Sequence, residues 1–427
     1  MNEIPPEAII AAGTLLGVTF LIFALRANKM QRLMTDLPTS KTTGVFIGFN
    51  ELKGKVTSEQ PLFSYLAHLK CVHYEWSVRE KWSRTVTESY TDSNGNRQTR
   101  TRTETGWTTV DRGGNMIPFL LQDEYGTILV RPEGAKIEPV SVFSDYCRPG
   151  DPLYYGKGPR RSVPNSDHYR HFTEKAIPLD AQLYILGQAR ERHDLVAAEI
   201  AAAEEAPVYL ISTRSEEQIA SGKKWKFALL SLLGALTTVG SVFYYEHNHL
   251  YAPRVPLLIG VGAAYFTVWL FGWCWMVANS IIELRNRVQQ AESLIDVQLK
   301  RRTDLIPNLV ECAKAMSEHE EGLLVRLAKL RTDYRPKLTP ILYALSESYP
   351  KLKANKEYMK LQTHLVDTEN RIALARNYYN QMATFYNDRQ QVIPDRWVAT
   401  VTGKKPFDLL TVNEPEPEFS IADEPIG

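Results

Sequence analysis

Three apolar stretches without a charged residue constrain this chain more than anything else in it. They run from Ala8 to Leu25, from Phe227 to Tyr245, and through most of Val255 to Ala278, the last rich in Trp and Phe. As helices rising about 1.5 Å per residue, each covers about 27–36 Å, enough to cross a hydrocarbon core about 30 Å thick. A cleaved signal peptide is the alternative for the first stretch. The acidic start (Glu3, Glu7) and the lack of an A-x-A site argue against it. Trp269, Trp273 and Trp275 gather toward one end of the third, as in an interfacial aromatic belt. The expectation is a membrane protein with three spans.

Basic flanks orient those spans. Arg26, Lys29 and Arg32 follow the first, Lys223, Lys224 and Lys226 border the second, and Arg285 and Arg287 follow the third. The opposite side has Arg254 and the amino terminus. The positive-inside rule therefore favours the cytoplasm for the basic side. With an odd number of spans, residues 27–222 and 279–427 share that side.

Composition narrows the function classes. In 427 residues, 44% are apolar and 23% charged, which fits folded domains and excludes wholesale disorder. The 50 basic and 49 acidic residues nearly cancel, so no global field selects nucleic acid as a partner. Four cysteines (Cys71, Cys147, Cys274, Cys312) lie far apart without a C-x-x-C, against both a Cys-rich zinc module and a disulfide scaffold. There is no G-x-S-x-G, H-E-x-x-H or Walker loop. The expectation is a protein that is not an enzyme and uses no cofactor. His168-x-x-His171 reads as loop histidines before it reads as a metal pair, because no third ligand is identifiable. Glu246, His247 and His249 read likewise as a polar turn, and Cys312 as a packed thiol.

Between the first two spans, residues 27–222 read as a β-rich domain. KGKVTS (53–58), CVHYEWSV (71–78), GTILVRP (126–132) and PVYLIS (207–212) are rich in β-branched and aromatic residues. From Thr85 to Trp107, Thr alternates with Arg, Glu or Tyr around Ser93-Asn94-Gly95-Asn96, a hairpin signal whose arms carry almost no apolar residues. It should project from the domain, with Arg97, Arg100 and Arg102 near its end. Near the other boundary, an Ala/Glu-rich run (194–206) precedes the last strand. SEEQIA then suggests a short helix with Ser215 as N-cap.

Glu174, Ile177-Pro178, Leu183-Tyr184 and Gly187, followed by the Y-L-I-S strand and another span, resemble the GIDE-type membrane domain of mitochondrial outer-membrane ubiquitin ligases over roughly residues 8–245. Those ligases end in a zinc-binding RING whose Cys/His cluster is missing from this sequence, so the resemblance does not bring ligase activity. It also implies a loop facing the intermembrane space, against the charge rule.

The rest of the chain is helical in pattern. Tyr358, Leu361, Leu365, Thr368, Ile372, Ala375, Tyr379, Met382 and Tyr386 recur at alternating steps of three and four. Upstream, Leu284, Val288, Ala291, Ile295, Leu299, Arg302, Ile306, Leu309, Ala313 and Met316 form a second seam, with an extra four-residue step at Ile295–Leu299 that reads as a stutter. Shorter pieces near 322–332 and 340–348 complete an antiparallel helical bundle. No Gly or Pro separates the third span from the first bundle helix, so one helix should run from Val255 to Met316 with a kink near Pro307. Polar residues gather on these helices: Asp296, Arg301, Arg302, Asp304 and Asn308, then Glu369, Asn370, Arg371 and Arg376. Arg302 falls on its seam and Glu369 beside the facing one. Two readings are open: a network that fixes helix register, or a surface for a partner or anionic ligand.

IDVQLKRRTDLIPNLV (295–310), YPKLKANKEYMKLQ (349–362) and TENRIALARNYYN (368–380) resemble the LemA family over about residues 279–410. The resemblance implies a bacterial, membrane-anchored helical bundle without catalytic activity. The resulting expectation is an α+β membrane protein. Its parts are a first span (1–26), a β-rich GIDE-like domain (27–222), two further spans (223–281), a LemA-like bundle (282–411) and a disordered acidic tail (412–427). The expected role is a scaffold that contacts membrane lipid, forms a homo-oligomer and recruits partners. The alternative is a regulatory subunit of a membrane protease or another envelope enzyme. Apolar residues off the seams (Val297, Ile341, Leu342, Leu345, Leu374, Phe385, Val392) motivate the oligomer.

Overall fold

A computed structural model describes residues 6–91, 97–192, 198–204, 206–249, 254–316, 356–403 and 405–410. The chain divides into two compact units: Thr39–Gln218, and Met1–Pro38 together with Ile219–Gly427. The helices are α1 (Pro6–Thr35), α2 (Pro152–Gly156), α3 (Glu216–His249), α4 (Val255–Met316), α5 (Lys356–Gln391) and α6 (Asp395–Thr402). The strands are β1 (Thr39–Ser40), β2 (Gly48–Thr57), β3 (Leu62–Phe63), β4 (Lys70–Thr91), β5 (Arg97–Met116), β6 (Phe119–Gln122), β7 (Thr127–Val130), β8 (Lys136–Glu138), β9 (Val140–Cys147), β10 (Ser166–Pro178), β11 (Gln182–Glu191), β12 (Ala198–Ala201) and β13 (Leu210–Ser212).

In the β unit, β2, β6, β7, β12 and β11 pair in a ring that closes back on β2. Closure removes the free edges that an open sheet would expose. Leu52, Val56, Leu121, Ile128, Val130, Leu183, Ile185, Ala189 and Ile200 share one buried cluster. Gly187 stands between Ile185 and Ala189 on the same strand face. A Cβ there would lie 2.8 Å from Ile200 and 2.9 Å from the Tyr209 ring, so glycine is what lets these side chains approach.

A second sheet orders β3-β4-β10-β9, with β5 also paired to β4. β10 accompanies β4 between Cys71 and Trp82, whereas the β4–β5 ladder continues to Thr91↔Arg97. The last part is therefore a two-stranded polar ribbon, as the alternating Thr pattern predicts. The turn itself lies outside the described residues. Trp76 and Trp82 stand directly across from Gly113 and Gly106, and their rings cover those glycines, restoring apolar contact where the partner strand has no side chain.

The helical unit contains three helices long and apolar enough to cross a membrane, within α1, α3 and α4. α1 meets α3 at Gly13-x-x-x-Gly17. A Cβ on Gly13 would lie 2.2 Å from Ser241, and one on Gly17 would lie 2.0 Å from Thr238 Oγ1. Small residues here admit backbone approach, the usual basis of association between helices in lipid. α3 and α4 are joined by polar bonds: Tyr265 Oη donates to the Ser231 carbonyl at 3.1 Å and Trp269 Nε1 to Ser231 Oγ at 3.2 Å. α1 and α4 touch at Leu25 and Gly272. SEEQIA is no separate helix. Its residues open α3, and Ser215 Oγ accepts from Gln218 N–H at 3.4 Å.

α4 is a single helix of 62 residues, about 90 Å at 1.5 Å per residue, and it passes through Pro307. Beyond Met276 and Val277, its buried positions are Ile281, Leu284, Val288, Ala291, Ile295, Gln298 and Arg302. The expected stutter is therefore not in the burial pattern. Gln298 takes the seam and Leu299 is half-buried, so steps of three and four continue unbroken. On α5, burial falls on Tyr358, Gln362, Leu365, Thr368, Ile372, Ala375, Tyr379, Met382, Ala383 and Tyr386. That is the expected seam, with Gln362 in place of Leu361. Arg302 pairs with Glu369, and Glu292, ten residues earlier, lies near enough to Tyr379, ten residues later, to help raise its hydroxyl pKa behind the larger effect of burial, so the two helices run in opposite directions. The expected helices near 322–332 and 340–348, the seam side chains from Leu309 to Met316 with Cys312, and the tail lie outside what is described.

Candidate functional site

Ordinary hydrophobic packing does not explain three groups of buried charge. The first lies at the foot of α1. Asp36, just beyond the last turn, sits where the helix dipole disfavours an anion. Arg389 of α5 compensates, its Nη2 donating to Asp36 Oδ1 at 2.5 Å. Arg32 of α1 forms a two-pronged bond to Asp395, the first residue of α6, at 2.6 and 2.9 Å. Arg389 closes the set by donating to Asp395 at 3.3 Å. Two guanidinium and two carboxylate groups thus alternate between chain segments separated by more than 350 residues. Charge-assisted forked bonds fix geometry as well as energy. The second group is the pair Arg302–Glu369 at 3.3 Å, bridging α4 and α5.

The third group is in the β unit. Arg170 and Glu80 are fully buried, and Arg170 Nε donates to Glu80 Oε2 at 3.0 Å. Arg170 also donates to the carbonyls of Tyr154 and Pro159 at 2.8 Å and of Arg161 at 3.2 Å, and lies over the Tyr154 ring. Glu80 accepts from Ser166 Oγ. Burial alone would raise the Glu80 carboxyl. The bonds from Ser166 and Arg170 outweigh it and hold the group below its ordinary range. Nearby, Glu174 accepts from three successive backbone N–H groups, Tyr65, Leu66 and Ala67, at 2.7–3.1 Å. Tyr184 Oη donates to the buried Glu51 at 2.9 Å. Glu174, Tyr184 and Gly187, singled out in the sequence, therefore serve loop anchoring, strand pairing and core closure.

Of the nine polar residues singled out on the helices, Arg302 and Glu369 are brought together. Asp296, Asp304, Asn308 and Asn370 are exposed, and Arg301, Arg371 and Arg376 are half-buried. Arg371 bonds Asp367 one turn earlier, at 2.9 Å. The histidine pair separates: His171 stacks on Tyr146 with centroids 4.0 Å apart, while His168 Nδ1 lies within 3.5 Å of Tyr154 Oη and Ser162 Oγ. Glu246 accepts the backbone N–H of Arg254 at the start of α4, and the His249 side chain is outside the described residues. Among the described residues no cluster of three His, Cys, Asp or Glu side chains has the grouping of a metal site. No local pattern in the sequence points to the Asp36–Arg389–Asp395–Arg32 set, since Arg32 reads as a topological flank. A local signal did exist for the α1–α3 crossing, the G-x-x-x-G at Gly13–Gly17.

Three helices long and apolar enough to cross a membrane, a closed β unit and a pair of long packed helices give the described residues a mixed α/β architecture. Residues 291–421 match the model of the LemA family, and residues 87–244 match a model, GIDE, described as E3 ubiquitin ligase. Both resemblances expected from the sequence are found, in the expected order, although the second begins well after residue 8. A curated relative, Protein LemA of Metamycoplasma hominis, is 26% identical over 150 residues, which cover 31% of this chain. The chain spans about two thirds (66%) of that relative's length.

Proposed function

We propose that the protein is a non-enzymatic, membrane-anchored scaffold that assembles with copies of itself and recruits membrane proteins through its LemA-like helices. The observation that carries this reading is the continuity of α4. One helix begins in a span-length apolar segment and ends in the packed seam with α5. The clasp of Arg32 and Asp36 with Arg389 and Asp395 ties the same helical module to α1. A module held at two helices presents its outer face at a fixed height, which suits display better than catalysis.

Ubiquitin transfer is not part of this reading, whatever the name of the matched model. A RING needs a compact set of Cys and His ligands. The chain has four cysteines, spread from Cys71 to Cys312. Three spans with both large segments in the cytoplasm complete the proposal, on the warrant of the basic flanks.

Mild detergent extraction followed by mass photometry tests it. Discrete multiples of the 48.6 kDa chain are expected, and a monomer across a wide concentration range would refute the assembly. An Asn94→Cys chain with its native cysteines replaced by serine should resist an impermeant maleimide in intact cells. Labelling would reverse the sidedness.

A further inference from the structure

At the foot of the apolar helices, α1 and α4 enclose a cleft of about 570 Å³. Its upper wall is apolar, built from Ile22, Leu25 and Trp275, with Leu25 packed close on Gly272. Over about the next three turns of both helices the lining becomes ionic, with Arg26, Lys29, Arg32 and Arg287 against Asp36 and Glu283. The acids are spoken for: Glu283 accepts from Arg287 at 2.7 Å, and Asp36 from Arg389. Arg32 is matched by Asp395. Arg26 and Lys29 are exposed and have no carboxylate partner among the described residues, so the cleft mouth carries two uncompensated positive charges. Arg32, nine-tenths buried at the floor, also holds its Nε without a hydrogen-bond partner among the described residues.

An occupant must therefore be apolar at one end and anionic at the other, with the change in character matching the change along the helices. We infer that the cleft binds one anionic phospholipid, its phosphate held by Arg26 and Lys29 and an acyl chain lying against Leu25, Gly272 and Trp275. A soluble anion would leave the apolar wall unused. A zwitterionic lipid would bring its own cation beside Arg26 and Lys29. Basic pockets between membrane helices at the headgroup level favour anionic lipid on the same grounds. The inference rests on the proposed membrane insertion and adds a lipid class to it.

The test uses the full chain in detergent micelles doped with phosphatidylglycerol or phosphatidylcholine, read by native mass spectrometry. One tightly retained phosphatidylglycerol per chain is expected. The R26Q/K29Q variant should weaken that retention roughly tenfold or more, on the basis of two headgroup-level charges. R26K/K29R should restore it, and phosphatidylcholine should bind both chains alike. Equal phosphatidylglycerol retention by wild type and R26Q/K29Q would overturn the proposal. Displacement of the lipid by inorganic phosphate alone would assign the site to a free anion and overturn it too. Carbonate extraction of membranes separates the two levels. A chain that stays in the pellet but shows no lipid preference loses this inference alone, and a chain that is released loses the membrane reading as well.

Discussion

The β unit and the helical unit both bury ion pairs, but they use them at different ranges. Arg170 in the β unit serves its own neighbourhood. It stitches the carbonyls of Tyr154, Pro159 and Arg161, a short way back along the chain, onto the β4–β10 pair through Glu80. In the helical unit, Arg32 reaches Asp395 across 363 residues and Arg389 reaches Asp36 across 353. One arrangement completes a fold that the strands already specify. The other holds together elements that nothing local would bring into contact. The first is enclosed and fully bonded; the second is partly open, with Arg389 a quarter exposed.

Breaking the enclosed set should have the largest effect. Arg170→Met leaves Glu80 buried and unpaired, a change that costs about 3–5 kcal/mol, read as a lower urea midpoint for the full chain in detergent. Acid should act on the same group. Because the folded Glu80 sits below its usual value of 4.5, its contribution is complete above that pH and is lost as pH falls through the folded value. The E80Q chain should lose that part of the acid dependence, and an unchanged acid profile would remove Glu80 from the account.

Asp395→Asn should cost less, about 1.5–3 kcal/mol for charge-assisted bonds in a more open site. Amide exchange should rise in α6 and at the end of α1, with β-unit amides unmoved. Uniform protection across the chain would show that the clasp does not hold those ends. Between Arg302 and Glu369, Glu369→Leu alone should destabilise by about 1–3 kcal/mol because a buried guanidinium loses its partner. The double change R302M/E369L should recover most of the loss, and a double-mutant cycle by chemical denaturation measures that recovery. Least affected should be the ribbon, where Arg84 and Arg102 pair with Glu104 in solvent. Glu104→Gln should leave the thermal midpoint unchanged within error, since surface pairs contribute little.

What could be read in the sequence follows the same division by range. Apolar length exposed the three candidate spans, and a repeat of three and four exposed nearly every buried position of α5. Both are local patterns. On α4, side-chain type points to Leu299 for the seam, whereas the geometry of two packed helices keeps its period and takes Gln298. The N-cap at Ser215 makes SEEQIA resemble a short helix, whereas the same cap starts the long α3. The aspartate and arginine clasp had no local pattern at all. Arg32 looks like any basic flank, and its partner lies far along the chain. On the β side, the residues singled out by family resemblance turned out to have structural jobs, which composition could not assign.

Because α4 is unbroken from Val255 to Met316, its two ends share one rotational phase. Each residue turns a helix by about 100°, so the bearing of Leu284, Val288 and Ile295 toward α5 is set by how Gly272 faces Leu25. A single residue added near Asn279 would keep every local propensity intact and still swing the distal face a quarter turn or more away from its neighbours. The helix works like a camshaft: what it presents at one end is an angle dictated at the other.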